Sequence, residues 1–476
     1  MDSRISARSL AMLLDGWRTS EPAYEALADS IRLLCLDNRI AARTALPAER
    51  ELAATLRLSR TTVAAAYRSL RESGHIRSLR GSGSVTEPLS RTASARTAIA
   101  EPDAIDLQQA SPAAWPGLGG VFAELAGSVH TLLSRPGYDV VGNETLRAAI
   151  AERYTRDGLA TDAAQIMITN GAQSALHLLA STLVSRGDRV LFETPTYPHA
   201  VDAFRRVGAR LVGVPVTTRD GWDLDRAEQA FERTHPVLAY LMPDFHNPTG
   251  RSMTDAERTA IERAADRAGT IVIVDETTAD LDIDRAIRPR RFGDADPDEQ
   301  LIRVGSLGKT VWGGLRIGWI RARADVVRRL VSARFALELG TPEWEQAIAV
   351  RLLPRFSEIV AQRSRLLEEG RRTVVRALAD RLPEWGVPLV DGGVSLWVDL
   401  DAPLSSALVL TARQAGVLLS AGPRFSVDGG YERNLRLPFT APAPVLERAI
   451  RIIADSWEAV RGGARVADLG RMDAVV

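Results

Sequence analysis

The sequence predicts a multidomain chain with three folded parts: a helix-rich N-terminal module closed by a two-stranded wing, an α/β domain around a mostly parallel sheet, and a small α+β domain at the C-terminus. Three observations carry this reading. Between 24 and 86 an amphipathic helix, two short helices and a glycine-centred hairpin follow one another closely. From about 104 onward, short apolar runs alternate with longer helical patterns. One lysine, Lys309, stands in a chain whose 60 Lys and Arg residues are otherwise all arginine.

With 476 residues, 45% hydrophobic and 25% charged, the chain is expected to form two or three domains. Cys35 stands alone, so no intrachain disulfide is expected, and a reducing cytoplasm is the expected compartment. The apolar patch Leu10 to Leu14 is too short and too flanked by charge for a signal peptide, and no run approaches transmembrane length. No metal-binding cluster is assigned. The formal net charge is zero, but residues 40 to 86 hold eight Arg against three Glu, an excess of five positive charges confined to the N-terminal region.

The N-terminal elements follow in order. Tyr24 to Ile40 places Leu27, Ile31, Leu34 and Cys35 on one helical stripe. Pro47 opens a helix from Glu49 to Leu56, Ser59 caps a second from Arg60 to Ser73, and Gly74 stops it. Ile76 to Leu79 and Val85 to Thr86 flank Gly81-Ser82-Gly83 as a wing. The run Leu46-Pro47-Ala48-Glu49-Arg50-Glu51-Leu52-Ala53, then Leu58-Ser59-Arg60-Thr61-Thr62-Val63, resembles the winged helix-turn-helix of the GntR family of transcription regulators. The resemblance implies double-stranded promoter or operator DNA as a partner, with Arg50, Arg60, Thr61 and Thr62 in contact and Tyr67 bracing the helix. The first turn of the second helix offers backbone donors, hydroxyls and a guanidinium, the groups that suit phosphates and base edges.

Residues 87 to 103 have a linker composition of Pro, Ser, Thr, Ala and Arg. The strands expected beyond it are Ile166 to Thr169, Arg189 to Phe192, Leu211 to Val216, Val237 to Met242, Ile271 to Asp275, Leu301 to Val304 and Arg316 to Ile320. Several are apolar on both faces, as in a sheet covered by helices on each side. A helical stretch near 342 to 380 leads to strands Gly393 to Leu400 and Asn434 to Phe439. The expected domains are 1–86, the linker 87–103, a large domain 104–340 and a small domain 341–476.

Lys309 sits in Ser306-Leu307-Gly308-Lys309-Thr310, after an apolar strand. A desolvated lysine can lose its proton and condense with an aldehyde, which a guanidinium cannot do. Gly171-Ala172-Gln173 lies where a strand gives way to a helix, so its amides can cradle a phosphate. Asp275 ends an apolar strand, an expensive position for a carboxylate without a cationic partner. With the loops Glu193-Thr194-Pro195-Thr196-Tyr197-Pro198 and His246-Asn247-Pro248-Thr249-Gly250, these features follow the order seen in fold-type I aminotransferases, and the resemblance covers roughly residues 104 to 460.

That resemblance implies pyridoxal 5'-phosphate as cofactor. Lys309 would form the Schiff base, Tyr197 would pack on the ring, Asn247 would hold its hydroxyl oxygen and Asp275 its protonated nitrogen. Gly171, Ala172, Gln173, Ser306 and Arg316 would hold the phosphate, and Arg436 the effector's carboxylate. His246 receives no chemistry. Thr277 and Thr278 stand where many relatives have a tyrosine, and Gly308 where a serine is common.

Joined in this order, the halves resemble the MocR-type subgroup of the GntR family. A homodimeric regulator is implied, sensing a small amine or amino acid effector or the cofactor itself; a working aminotransferase is the alternative.

Overall fold

The computed structural model describes residues 3–14, 17–18, 22–36, 39–41, 43–79, 83–87, 104–134, 136–294 and 300–462. Residues 88–103 of the expected linker, and Gly81 and Ser82 of the expected wing, lie outside the described residues.

In the N-terminal module, helices Ala23–Leu36, Glu49–Leu56 and Arg60–Glu72 bury Leu27, Ile31, Leu34, Leu52, Val63, Ala66, Tyr67 and Leu70 in one cluster. The first helix ends at Leu36 rather than Ile40, because the Ile40 amide turns back to the Leu34 carbonyl at 3.0 Å while its side chain joins the core. The patch Leu10 to Leu14 belongs mostly to a further helix, Ala7–Leu13, capped by Ser6 and seated on the same core through Leu10. Ser59 accepts from the Thr62 amide at 3.0 Å and starts Arg60–Glu72. The wing strands Ile76–Leu79 and Gly83–Thr86 pair antiparallel from Ile76↔Thr86 to Leu79↔Gly83, and Thr44–Ala45 adds a third strand through Ala45↔Val85.

Eight strands form the main sheet among the described residues. Their spatial order is Ile166–Thr169, Gly318–Arg321, Leu301–Ser306, Ile271–Asp275, Leu238–Leu241, Arg189–Thr194, Arg210–Thr217 and Gly221–Trp222. The five strands from Leu301–Ser306 to Arg210–Thr217 run parallel, and Gly318–Arg321 is antiparallel to both its neighbours. Apolar side chains on both faces, such as Phe192 and Ile273 on one and Leu191 and Val272 on the other, fill two separate helix-covered cores. Arg316 was expected in a strand. It instead closes a 3-10 turn, Gly313–Leu315, in the left-handed region at φ 51°, and the strand begins at Gly318.

The small domain packs Ser395–Asp399, Asn434–Pro438 and Ser420–Ala421 against helices Phe356–Arg381, Ser405–Gln414 and Ala443–Arg461. The helical stretch near 342 to 380 is split by a 3-10 turn at Leu353–Arg355, where Pro354 cannot donate to the ladder. Ile105–Asp106 pairs with Val417–Leu418, so the chain after the linker starts on this domain. The N-terminal module rests here too: Leu33 joins the small-domain core, and Arg39 Nη1 donates to the Pro423 carbonyl at 3.0 Å. No helix among the described residues is long and apolar enough to cross a membrane.

Candidate cofactor pocket and nucleic-acid interface

A cavity of about 860 Å³ opens where the parallel strands end, the usual ligand position in such sheets. Its wall brings together Ala172, Gln173, Tyr197, Asn247, Asp275, Ser306, Lys309, Arg316 and Arg436. Gly171 stands just behind, beside the Arg316 guanidinium.

Lys309 follows the strand Leu301–Ser306, and its Nζ donates to the Ala110 carbonyl at 2.8 Å. Burial lowers its pKa to about 8; Arg436 adds like-charge repulsion and Asp275 partly opposes both. The amine is therefore far readier to lose a proton than an exposed lysine. Asp275 is fully buried and its pKa is raised by desolvation, against which Thr277 and Tyr240 supply hydrogen bonds. The Thr277 amide reaches Oδ1 at 2.9 Å, and the Tyr240 hydroxyl reaches Oδ2 at 2.5 Å. A cation is what this carboxylate lacks, and a protonated pyridine nitrogen would supply one.

Asn247 Oδ1 is buried with no hydrogen-bond partner, an acceptor left for a ligand. Tyr197 caps the helix Pro198–Arg206, and its hydroxyl lies 3.1 Å from His199 Nδ1. Burial, with Asp275 nearby, pushes the Tyr197 phenol up to about 12, so it stays protonated.

The phosphate end is built by close packing. Gly171 adopts φ 80° at the start of helix Ala172–Leu183, and any Cβ there would lie 2.6 Å from Arg316 Nη2. Arg316 Nη2 donates to the Asn170 carbonyl at 2.9 Å, which holds the guanidinium at the helix N-terminus. Gly171 N is already donated to Thr169 O at 2.8 Å, which leaves the amides of Ala172 and Gln173 for a phosphate. Ser306 Oγ gives its proton to Ile317 O at 3.1 Å and accepts from Gly308 N at 2.9 Å, so it has no proton to offer a phosphate in this arrangement. These groups fit pyridoxal phosphate at both ends.

Arg436 stands on strand Asn434–Pro438, stacked 4.8 Å over Phe425, with Nη2 on the Gln108 carbonyl and Nε buried without a partner. Burial lowers its pKa to about 10, still charged at neutral pH. His246 is fully buried, bonded through Nδ1 to Thr249 Oγ1 at 2.8 Å, and serves the turn. Thr278 lines the cavity but gives its hydroxyl to the Asp244 carbonyl at 2.9 Å.

Sequence reading passed over three residues. Tyr240 is the polar exception in the apolar strand Leu238–Leu241, a signal available from burial pattern. Glu338 accepts from Ser174 Oγ and from Arg334, steadying the helix start, and left no sequence mark. Arg424 lines the cavity from the turn Gly422–Phe425 and pairs with Asp202 at 2.6 Å.

On the N-terminal module, Arg50, Arg60 and Thr61 are exposed and Thr62 is half-buried, all four on the two helices of the turn. Thr61 and Thr62 hydroxyls each lie 2.7 Å from Ser59 Oγ. Arg60 Nε is 3.9 Å from Glu49 Oε2 with its side chain 73% exposed, a loose pair that leaves the guanidinium available. Tyr67 donates to the Pro47 carbonyl at 3.0 Å and ties the two helices together.

Comparison with known proteins agrees with this geometry. Residues 134–453 match the family model for aminotransferase class I and II, and residues 23–85 that for bacterial regulatory proteins of the gntR family. The chain is 31% identical over 303 residues to 2-aminoadipate transaminase of Thermus thermophilus, covering 63% of this chain and 75% of that protein. It is 26% identical to the uncharacterized HTH-type transcriptional regulator YisV of Bacillus subtilis over 94% of this chain and 99% of that one. The crystal structure of LysN, the alpha-aminoadipate aminotransferase of Thermus thermophilus, superposes with a TM-score of 0.70 at 27% identity, covering 77% of this chain and 95% of that chain. The chain belongs to the aminotransferase class I and II family, whose fold implies pyridoxal phosphate binding, and carries a gntR-family DNA-binding domain at its N-terminus, the MocR-type architecture.

Proposed function

We propose that this protein is a cytoplasmic, pyridoxal-phosphate-dependent transcription regulator that senses an amine or amino acid effector through Lys309. The observation that carries the reading is the union, in one chain, of an exposed helix-turn-helix face around Arg60 and a cavity in which Lys309, Asp275 and Asn247 each lack what the cofactor provides. When bound, the cofactor supplies an aldehyde that exchanges one amine for another. In the roles inferred for them, Lys309 presents the amine, Asp275 holds the ring proton, Tyr197 packs on the ring and Asn247 binds its hydroxyl oxygen. Arg316 with the amides of Ala172 and Gln173 holds the phosphate, and Arg436 orients the effector's carboxylate by a fork that lysine cannot copy. Effector binding switches transcription if it favours one arrangement of the DNA-reading modules over another.

A homodimer is part of the proposal. Tyr138, Phe335, Leu337 and Leu339 are exposed on adjoining segments, since Arg334 Nη1 bonds the Val140 carbonyl at 2.8 Å. A second copy of the chain would cover such a face and bring two DNA readers to two half-sites.

The likeness to 2-aminoadipate transaminase is the observation behind a second reading, a working aminotransferase. Titrating holoprotein with an amine panel, while recording the visible cofactor band and affinity for the DNA upstream of its own coding sequence, separates them. An amine that moves both is the expected result. Multiple turnover with an amino acid and a keto acid, without sequence-specific DNA binding, supports the enzyme. DNA affinity that answers to pyridoxal phosphate but to no amine indicates a sensor of the cofactor alone.

A further inference from the structure

The cavity wall carries more positive charge than the cofactor and one carboxylate use. Its charged lining residues are Lys309, Arg316, Arg413, Arg424 and Arg436, against Asp275 alone. In the reading above, which this inference extends and on which it rests, Arg316 serves the phosphate, Lys309 the aldehyde and Asp275 the ring nitrogen. Arg436 and Arg424, the latter paired with Asp202, then stand on the small-domain side of the cavity, and an α-carboxylate engages only Arg436.

We propose that the effector is an amino dicarboxylate, or an amino acid whose side chain ends in another acid group, and that Arg424 binds that second acid.

Arg424 is well placed for this. It stands on the turn Gly422–Phe425, one position before Phe425, the ring over which Arg436 stacks at 4.8 Å, and both arginines line the cavity. Its side chain is 11% exposed, and its ion-pair partner Asp202 is 43% exposed. That pairing is made at the cavity rim, and a carboxylate arriving from within can share or replace it, since Asp202 recovers solvation when released. Arg413, from the last turn of helix Ser405–Gln414, lines the same cavity and adds to its positive potential. Arg424 and Arg436 repel each other: Arg424 is among the causes that lower the Arg436 pKa, and both lower that of His199. A second negative group relieves this repulsion, whereas an apolar or amide side chain leaves it in place. Such side chains gain nothing from Arg424, which keeps its pairing with Asp202, and discrimination follows from that difference.

The test uses full-length holoprotein and its visible cofactor band. L-aspartate, L-glutamate and L-2-aminoadipate are titrated beside L-alanine, L-glutamine and L-norvaline. At least one dicarboxylate is expected to bind tenfold or more tightly than every monoacid. Arg424→Gln is expected to reduce that ratio below threefold through a loss of dicarboxylate affinity, and Asp202→Asn to raise dicarboxylate affinity by freeing Arg424. The wild-type comparison and Asp202→Asn decide the matter should Arg424→Gln fold poorly. Monoacids binding as tightly as all three dicarboxylates, with the cofactor band intact, would overturn the second-acid subsite alone. A holoprotein without any lysine-bound band would overturn the cofactor reading, and this inference with it.

Discussion

Tyr240 donates its hydroxyl to Asp275 Oδ2 over 2.5 Å, linking adjacent strands at a point where neither side chain reaches solvent. The bond matters because burial raises the Asp275 pKa, and the charged carboxylate survives only by the donors aimed at it. Tyr240→Phe removes one. For an acid with a raised folded-state pKa, the penalty is complete above that pKa, shrinks as pH falls through it and is gone below the ordinary unfolded-state value. Apoprotein carrying Tyr240→Phe is expected to lose about 1–3 kcal/mol of stability at pH 8 and less in acid, read by denaturant unfolding at both pH values. A loss independent of pH would assign the tyrosine to packing.

Lys309, at a pKa of about 8, sets a pH dependence for cofactor capture. The neutral amine is the nucleophile, so apoprotein should acquire the visible band faster as pH rises, with a midpoint near 8. At pH 7 about one lysine in ten is neutral, against fewer than about one in a thousand for an ordinary lysine. Arg436→Met removes a positive neighbour and should move the midpoint upward. Stopped-flow absorbance across pH 6 to about 10 measures both.

We propose that the exposed guanidinium of Arg60 meets DNA phosphate or base edges, while Ser59 acts through the fold. Arg60→Ala should weaken operator binding and lower the slope of log affinity against log salt by about 1. Ser59→Ala removes the cap on the same helix and should cost about 1 kcal/mol of stability with the salt slope unchanged. Fluorescence anisotropy at several salt concentrations distinguishes the two.

Arg39 joins the DNA-reading module to the carbonyl of Pro423, whose neighbour Arg424 lines the cofactor cavity. A single turn, Gly422–Phe425, thus touches the N-terminal module and lines the cavity. Arg39→Ala should leave the cofactor band and its response to amines intact while reducing the effector's influence on DNA affinity at least threefold. Parallel absorbance and DNA-binding titrations check this.

Much of the fold was legible because periodicity follows burial. The strand ending in Asp275 is apolar on both faces, and Ser59 precedes its helix with the side chain a cap needs. The cavity was legible because Lys309, Asp275, Asn247 and Tyr197 each sit at a strand end or the loop after it. What stayed hidden depends on partners far along the chain. Arg316 leaves the expected strand because its guanidinium must reach Asn170, and Gly318 must pack on Gly171, where a Cβ would lie 2.6 Å from the carbonyl carbon. Ile105–Asp106 takes its strand geometry from Val417–Leu418, over 300 positions later. Arg424 reads as one arginine among 59 until the turn carrying it is seen beside Phe425 and Asp202.

The central claim is that the cofactor held by Lys309 governs DNA binding. Affinity for the upstream DNA, measured for wild type and Lys309→Ala with and without saturating pyridoxal phosphate and then amine effector, tests it most directly. Wild type should change affinity severalfold on at least one addition, while Lys309→Ala, lacking the visible lysine-bound band, should bind the same DNA with no response to either. Equal responses in the two proteins, or a lysine-bound band in Lys309→Ala, would contradict the account.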